Sequence, residues 1–214
     1  MKPLVRWAIA TAIIVIIVLG IGNGRDPWLW AYVVTFCGLG FYAINSMDHD
    51  LMKERFTPPS AGADRLPLRW IRLIAAAHVV VAIADSRFGW TSIPDLLRAA
   101  GLAGFALSFL LVIRAMQANR FFSAVVRIQD DRGHHVVDTG PYAVVRHPGY
   151  AGMIVFAPFS GMALGSWISV AVALLYSALV LRRVLFEDRF LRENLTGYSA
   201  YTTRVPYRLV PGVW

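Results

Sequence analysis

Two short clusters hold most of the side chains with which this chain could bind or transform a charged small molecule. The first is Arg146-His147-Pro148-Gly149-Tyr150-Ala151-Gly152, led by Gly140-Pro141-Tyr142. The second is Arg182-Arg183-Val184-Leu185-Phe186-Glu187-Asp188, followed by Gly197-Tyr198, Tyr201, Arg204 and Val205-Pro206-Tyr207-Arg208. An arginine fork can hold a carboxylate through two parallel hydrogen bonds. A helix N-terminus adds free N–H groups and a positive dipole end. Proline suits the first helical position, and the residue before it is biased to extended backbone, so a helix is predicted to start at Pro148 with Arg146 and His147 at its mouth. Gly149 and Gly152 would let a ligand approach the backbone of the first turn. Glu187 could receive a cation from a ligand, such as an α-amino group; the plainer alternative is an ion pair with Arg183 one turn back.

The elements that must position these clusters are apolar. The chain has 214 residues, 57% of them hydrophobic and only 16% charged, with a mean hydropathy of +0.54. A soluble domain carries about 25% charged residues. Apolar runs at residues 7–21, 28–45, 70–85, 96–116, 149–164 and 167–186 approach the length that crosses a hydrocarbon core of about 30 Å. The expected fold class is therefore an all-α integral membrane protein, a bundle of about six transmembrane helices. Residues 1–214 form one membrane domain, with four N-terminal spans in 1–116 and, in 117–214, a helical hairpin carrying both clusters. Between the spans lie a polar loop at 46–69 with a Pro58-Pro59 break, and a polar segment at 117–147. In the latter, residues 125–129 and 134–138 flank an Asp-Arg-Gly turn, a hairpin signal.

Of the 21 Lys and Arg residues, only Arg25, Arg87 and Arg98 fall on the outer side of a six-span arrangement. That asymmetry predicts both termini and both clusters in the cytosol. The net charge of +8 is accordingly read as membrane orientation, with membrane lipids and not nucleic acid as the neighbour. The lone cysteine, Cys37, builds no disulfide and no thiolate metal site. Asp48-His49-Asp50 is a poor metal candidate, and no metal is expected.

Together the two clusters, in this order and separated by a membrane hairpin, resemble the isoprenylcysteine carboxyl methyltransferase family, which is similar to the phospholipid methyltransferases. The likeness rests on residues 140–152, on Glu187-Asp188 and on the tail from Tyr198 to Pro211, and covers the chain from Asn119 onward. It implies methyl transfer from S-adenosylmethionine to an amphipathic, lipid-like acceptor, a carboxylate or an amine. It also implies that Tyr142, His147, Tyr150, Gly152 and Glu187 line a cofactor pocket in the C-terminal half. Arg146 would face a substrate or cofactor carboxylate. The family usually has two glutamates where this chain has Glu187-Asp188. A carboxylate acceptor is already ionised at neutral pH, whereas an amine would need a base such as His147. The Arg-His-Pro-x-Tyr motif is also similar to that of membrane sterol-type reductases, which use a nicotinamide cofactor and carry an acidic residue where this chain has Met153. A third reading has the motif merely sealing a helix end.

The other polar residues are assigned structural roles. His78 lies within an apolar run, where an interhelix hydrogen bond is expected. His134-His135 are expected at a solvated turn, and Tyr198 and Tyr201 as packing or interfacial anchors.

Overall fold

The computed structural model describes residues 3–57 and 62–214. Its helices are α1 (Pro3–Ile21), α2 (Pro27–Ser46), α3 (His49–Phe56), α4 (Arg65–Phe88), α5 (Asp95–Ala118), α6 (Pro148–Ala163), α7 (Trp167–Asn194) and α8 (Tyr198–Arg204). Caps explain the starts. The Asp26 and Asp48 carboxylates accept N–H bonds at the first turns of α2 and α3, and the Ser166 hydroxyl does so for α7. The predicted start at Pro148 is observed, with His147 as its cap.

The six long helices match the six apolar runs, α6 ending at Ala163, one residue before the end of its run. By length and composition α2, α5 and α7 qualify to cross a membrane, and α1 carries a shorter apolar stretch, Trp7–Ile21. This is an all-α integral membrane fold. Two boundaries differ from expectation. The helix α4 starts at Arg65, five residues before its apolar run, and α7 continues to Asn194, so Glu187 and Asp188 sit inside a helix. The short helix α3 occupies the loop expected at 46–69; Pro58-Pro59 lies outside the described residues.

The helix α6 is held between α5 and α7, and α4 lies against α7. Small residues permit the close approach of α5 and α6. A Cβ on Gly152 would meet Val112 Cγ2 at 2.7 Å and Ser108 O at 2.8 Å, and one on Gly101 would meet Ala163 N at 2.6 Å. Pro158 lies inside α6 and cannot donate to the carbonyl of Ile154. Ser177 of α7 donates to that carbonyl at 2.7 Å instead, so the proline creates an acceptor that the neighbouring helix fills. His78 behaves as expected: its Nε2 lies 3.1 Å from Ser160 Oγ, which is 2.8 Å from the Tyr32 hydroxyl, linking α4, α6 and α2.

Residues 119–139 form no hairpin; among the described residues there is no strand. The chain does reverse through a 3-10 turn at Asp130–Arg132, with Gly133 in the left-handed region. Its main-chain groups, however, are engaged elsewhere. Val126 N–H donates to Asp64 Oδ1 at 2.9 Å, Val126 O accepts from Ala63 N at 2.9 Å, and Ala124 O accepts from Arg183 at 2.8 Å. Arg127 pairs with Glu54 of α3 at 2.8 Å, and the Ser123 hydroxyl donates to the same carboxylate. Long-range bonds, most of them from side chains, thus replace the ladder.

Removing the Ser177 hydroxyl should leave the Ile154 carbonyl unfilled. We expect Ser177→Ala to destabilise the detergent-purified protein by about 0.6–2 kcal/mol, read from its thermal unfolding. Gly152→Val should cost far more, because both clashing neighbours are on the facing helix. Parent-like melting of both variants would contradict this packing.

Candidate active site

The geometry is built around Asp188, which is buried on α7. Its Oδ1 accepts from Arg146 Nε at 2.8 Å and from the Tyr198 hydroxyl at 3.1 Å. Its Oδ2 accepts from Arg146 Nη2 at 3.2 Å and from Arg208 Nε at 3.0 Å. His147 Nε2 lies 3.2 Å from Oδ1, so the tautomer with its proton on Nε2 donates there as well. The remaining Arg146 nitrogen donates to the carbonyls of Val205 and Pro206 at 2.8 and 2.7 Å. Main-chain bonds complete the join: Arg146 N–H donates to Tyr207 O at 3.0 Å and His147 N–H to Arg208 O at 2.9 Å. One carboxylate and one guanidinium therefore clip the Arg-His-Pro segment, the end of α7 and the C-terminal tail together. Burial disfavours the Arg146 charge, but its bonds to Asp188 outweigh that and hold it above the ordinary arginine value. Burial, and then the Asp188 charge, push the Tyr198 phenol well up, so it stays a hydrogen-bond donor.

Beside this clip lies a cavity of about 250 Å³. His147, Tyr198 and Glu187 line its polar part, and Ile71, Ala75 and Met153 line an apolar part between α4, α6 and α7. The Tyr150 hydroxyl donates to Glu187 Oε2 at 2.5 Å. Arg183 does not pair with Glu187. It lies over the Tyr150 ring at 5.8 Å, and its Nη2 is 2.7 Å from Asp64 Oδ2. The Glu187 carboxylate is thus oriented by a phenol and faces a cavity, with no ion pair to any described residue.

The resemblance noted from the clusters is supported by three comparisons. The model of the isoprenylcysteine carboxyl methyltransferase (ICMT) family matches residues 101–193. Over this segment the chain is similar to that family. A probable protein-S-isoprenylcysteine O-methyltransferase of Oryza sativa subsp. indica is 32% identical over 95 residues, covering 44% of this chain and 50% of that protein. The protein-S-isoprenylcysteine O-methyltransferase B of Arabidopsis thaliana is 24% identical over 157 residues, 68% of this chain and 79% of that one. The match to the Oryza proteins therefore spans half their length. Among solved structures, a eukaryotic intramembrane Ras methyltransferase, isoprenylcysteine carboxyl methyltransferase, superposes with a TM-score of 0.64 at 19% identity, covering 97% of this chain and 75% of that one. That likeness shows the fold.

The family segment contains Tyr142, Arg146, His147, Tyr150 and Glu187, and all five line the cavity. Gly152 does not; it is the contact glycine of α6 against α5. Gly149 is the glycine at the cavity, beneath the Phe122 ring. Arg146, expected to face a ligand carboxylate, has its fork on Asp188. Tyr198 and Tyr201, expected as anchors, are buried cavity walls, the latter donating to Tyr142 O at 2.7 Å. His134 and His135 are not merely solvated: both flank the Phe121 ring, at 4.5 and 4.9 Å between centroids, and line the cavity. The sequence signal of Asp64 is only a lone acid before an apolar helix.

Two outcomes follow from these environments. Asp188→Asn should destabilise the protein by about 3–5 kcal/mol, since it leaves Arg146 buried without its counter-charge; parent-like melting would contradict the clip. His134 is pushed down from the usual histidine value to about 4, by burial first and then by the neighbouring cations. The unfolded chain then binds more protons than the folded one between about 6.5 and 4. Its contribution is fully present above that window and is lost as pH falls through it. Replacing His134 by Gln should flatten this part of the stability–pH curve measured by thermal unfolding.

Proposed function

We propose that the protein is an integral membrane S-adenosylmethionine-dependent carboxyl methyltransferase whose acceptor is a lipid-like carboxylate of the isoprenylcysteine type. The observation that carries this reading is Glu187, a carboxylate fixed by Tyr150 in the cavity wall, with no ion pair to any described residue. The residues fit such a donor. Glu187 would bind its ammonium group, and His147, Tyr142 and Tyr198 would line its polar side, with the Tyr198 hydroxyl proton held by Asp188. When bound, S-adenosylmethionine supplies an electrophilic methyl group on a sulfonium.

This chain's own contribution is alignment. Holding donor and acceptor in line is worth on the order of 7–11 kcal/mol in favourable cases, and the Asp188 clip keeps the lining residues in place. A carboxylate acceptor needs no base, being ionised at neutral pH. The Nε2 of His147 lies between Asp188 and the Tyr198 hydroxyl, 3.2 and 3.3 Å away, which fixes the ring in the cavity wall. The apolar part of the cavity would keep the acceptor's chain within the bundle and exclude water from the reacting groups.

The reading includes six membrane spans, α1, α2, α4, α5, α6 and α7, in one domain, with both termini and the cavity's polar mouth in the cytosol. The charge asymmetry supports it. Reporter fusions after Trp214 and in the 88–95 loop should report cytosol and exterior respectively; the reverse would overturn the orientation.

Glu187→Gln should weaken S-adenosylmethionine binding by about 2–5 kcal/mol, the usual cost of removing one partner of a desolvated charge pair. Titration calorimetry on the folded, detergent-purified variant measures it. Parent-like affinity would remove Glu187 from the donor site.

A further inference from the structure

Apart from Arg127, which pairs with Glu54 and Asp131, the cavity wall carries three arginines outside the clip: Arg55 of α3, Arg72 of α4 and Arg183 of α7. Their counter-charges do not balance. All 13 Asp and Glu residues of the chain lie among the described residues, and of these only Asp64 pairs with the group, through Arg183. Glu54, the acid next to Arg55, has both carboxylate oxygens on Arg127. Arg55 itself has one donor on Ser123 O at 3.1 Å, and its guanidinium lies 5.1 Å from the Phe122 ring centroid. Arg183 has a buried Nε without a partner, on a side chain only 9% exposed. Burial, then the charge of Arg183 and further off that of Arg72, push the Arg55 guanidinium below its ordinary value.

Unneutralised guanidinium groups in a partly apolar wall are unfavourable unless an anion joins them. The charges are also well placed for one. Arg183 and Glu187 are four residues apart on α7, so their Cβ atoms are about 5–6 Å apart along one helix face, with the Tyr150 ring beside both. Next to the arginines, Ile71, Ala75 and Met153 form the apolar part of the cavity. Arg146, the residue that the motif suggests for an anion, has its fork on Asp188.

We propose that Arg55, with Arg72 and Arg183, is the specificity-determining group that binds the carboxylate of the acceptor and makes the enzyme select an acid over the matching amide. This rests on the methyltransferase reading above. Arg55 and Arg72 lie outside the segment shared with the family model, so acceptor choice is set in part by the N-terminal half of this chain. The arginines bind the anion at the end of the apolar slot, while Glu187 one turn further along α7 receives the donor's cation.

The test is competition binding on the detergent-purified full chain, with N-acetyl-S-farnesylcysteine as the acid probe and its carboxamide as the neutral one, alongside calorimetry with S-adenosylmethionine. The parent should prefer the acid by about tenfold or more, the value of a hydrogen bond to a charged group. Arg55→Met should erase that preference and leave donor affinity within about twofold, while Arg55→Lys keeps part of it. Because Arg55 also ties α3 to Ser123, Arg72→Met, which removes an exposed side chain, serves as the second variant and should reduce the preference in the same direction. Equal binding of acid and amide by the parent, or an undiminished preference in both Met variants, would overturn the proposal while leaving donor binding intact. Failure of the parent to bind S-adenosylmethionine would overturn the methyltransferase reading itself.

Discussion

A buried carboxylate must be matched by donors, and Asp188 is matched by hydrogen bonds from Arg146, His147, Tyr198 and Arg208, with Arg192 of its own helix at 3.4 Å. Arg146 and His147 precede α6, Asp188 belongs to α7, and Tyr198 and Arg208 come from α8 and the tail. Breaking one member leaves another charge unpaired in a site with little water. The clip is therefore cooperative, and the position of the cavity walls depends on it.

The clip also accounts for two adjacent acids with different environments. Neighbouring residues on a helix point in directions about 100° apart, so Glu187 and Asp188 cannot serve the same pocket equally. Asp188 faces the tail and is saturated with donors. Glu187 faces the cavity, where Tyr150 holds one oxygen and leaves the group open to a ligand. An arginine read from the motif as a ligand fork becomes part of the framework, and its geometric role passes to arginines on other helices.

Much of this was legible in the sequence. Pro148 marked a helix start, six apolar runs marked the long helices, and two separated clusters marked the lining of one site. These signals are local, arising from backbone restriction or from the length of an apolar run. What was not legible depends on contacts distant in sequence. The hairpin expected at 125–138 is replaced by bonds to Asp64, more than 60 residues away. Gly152 has the same motif address as Gly149, and only the position of α5 decides that one packs and the other borders the cavity. The partner of Arg146 was ambiguous for the same reason, since nothing in the spacing distinguishes a ligand carboxylate from Asp188. Tyr198 and Tyr201 look like interfacial aromatics until the tail folds back over His147.

The most direct measurement is an experimental structure of the full chain with S-adenosylhomocysteine bound. The account predicts the ligand's amine against Glu187, with Arg146, His147 and Tyr198 still on Asp188. A structure in which Arg146 leaves Asp188 to hold the ligand's carboxylate, with Glu187 away from the amine, would contradict it.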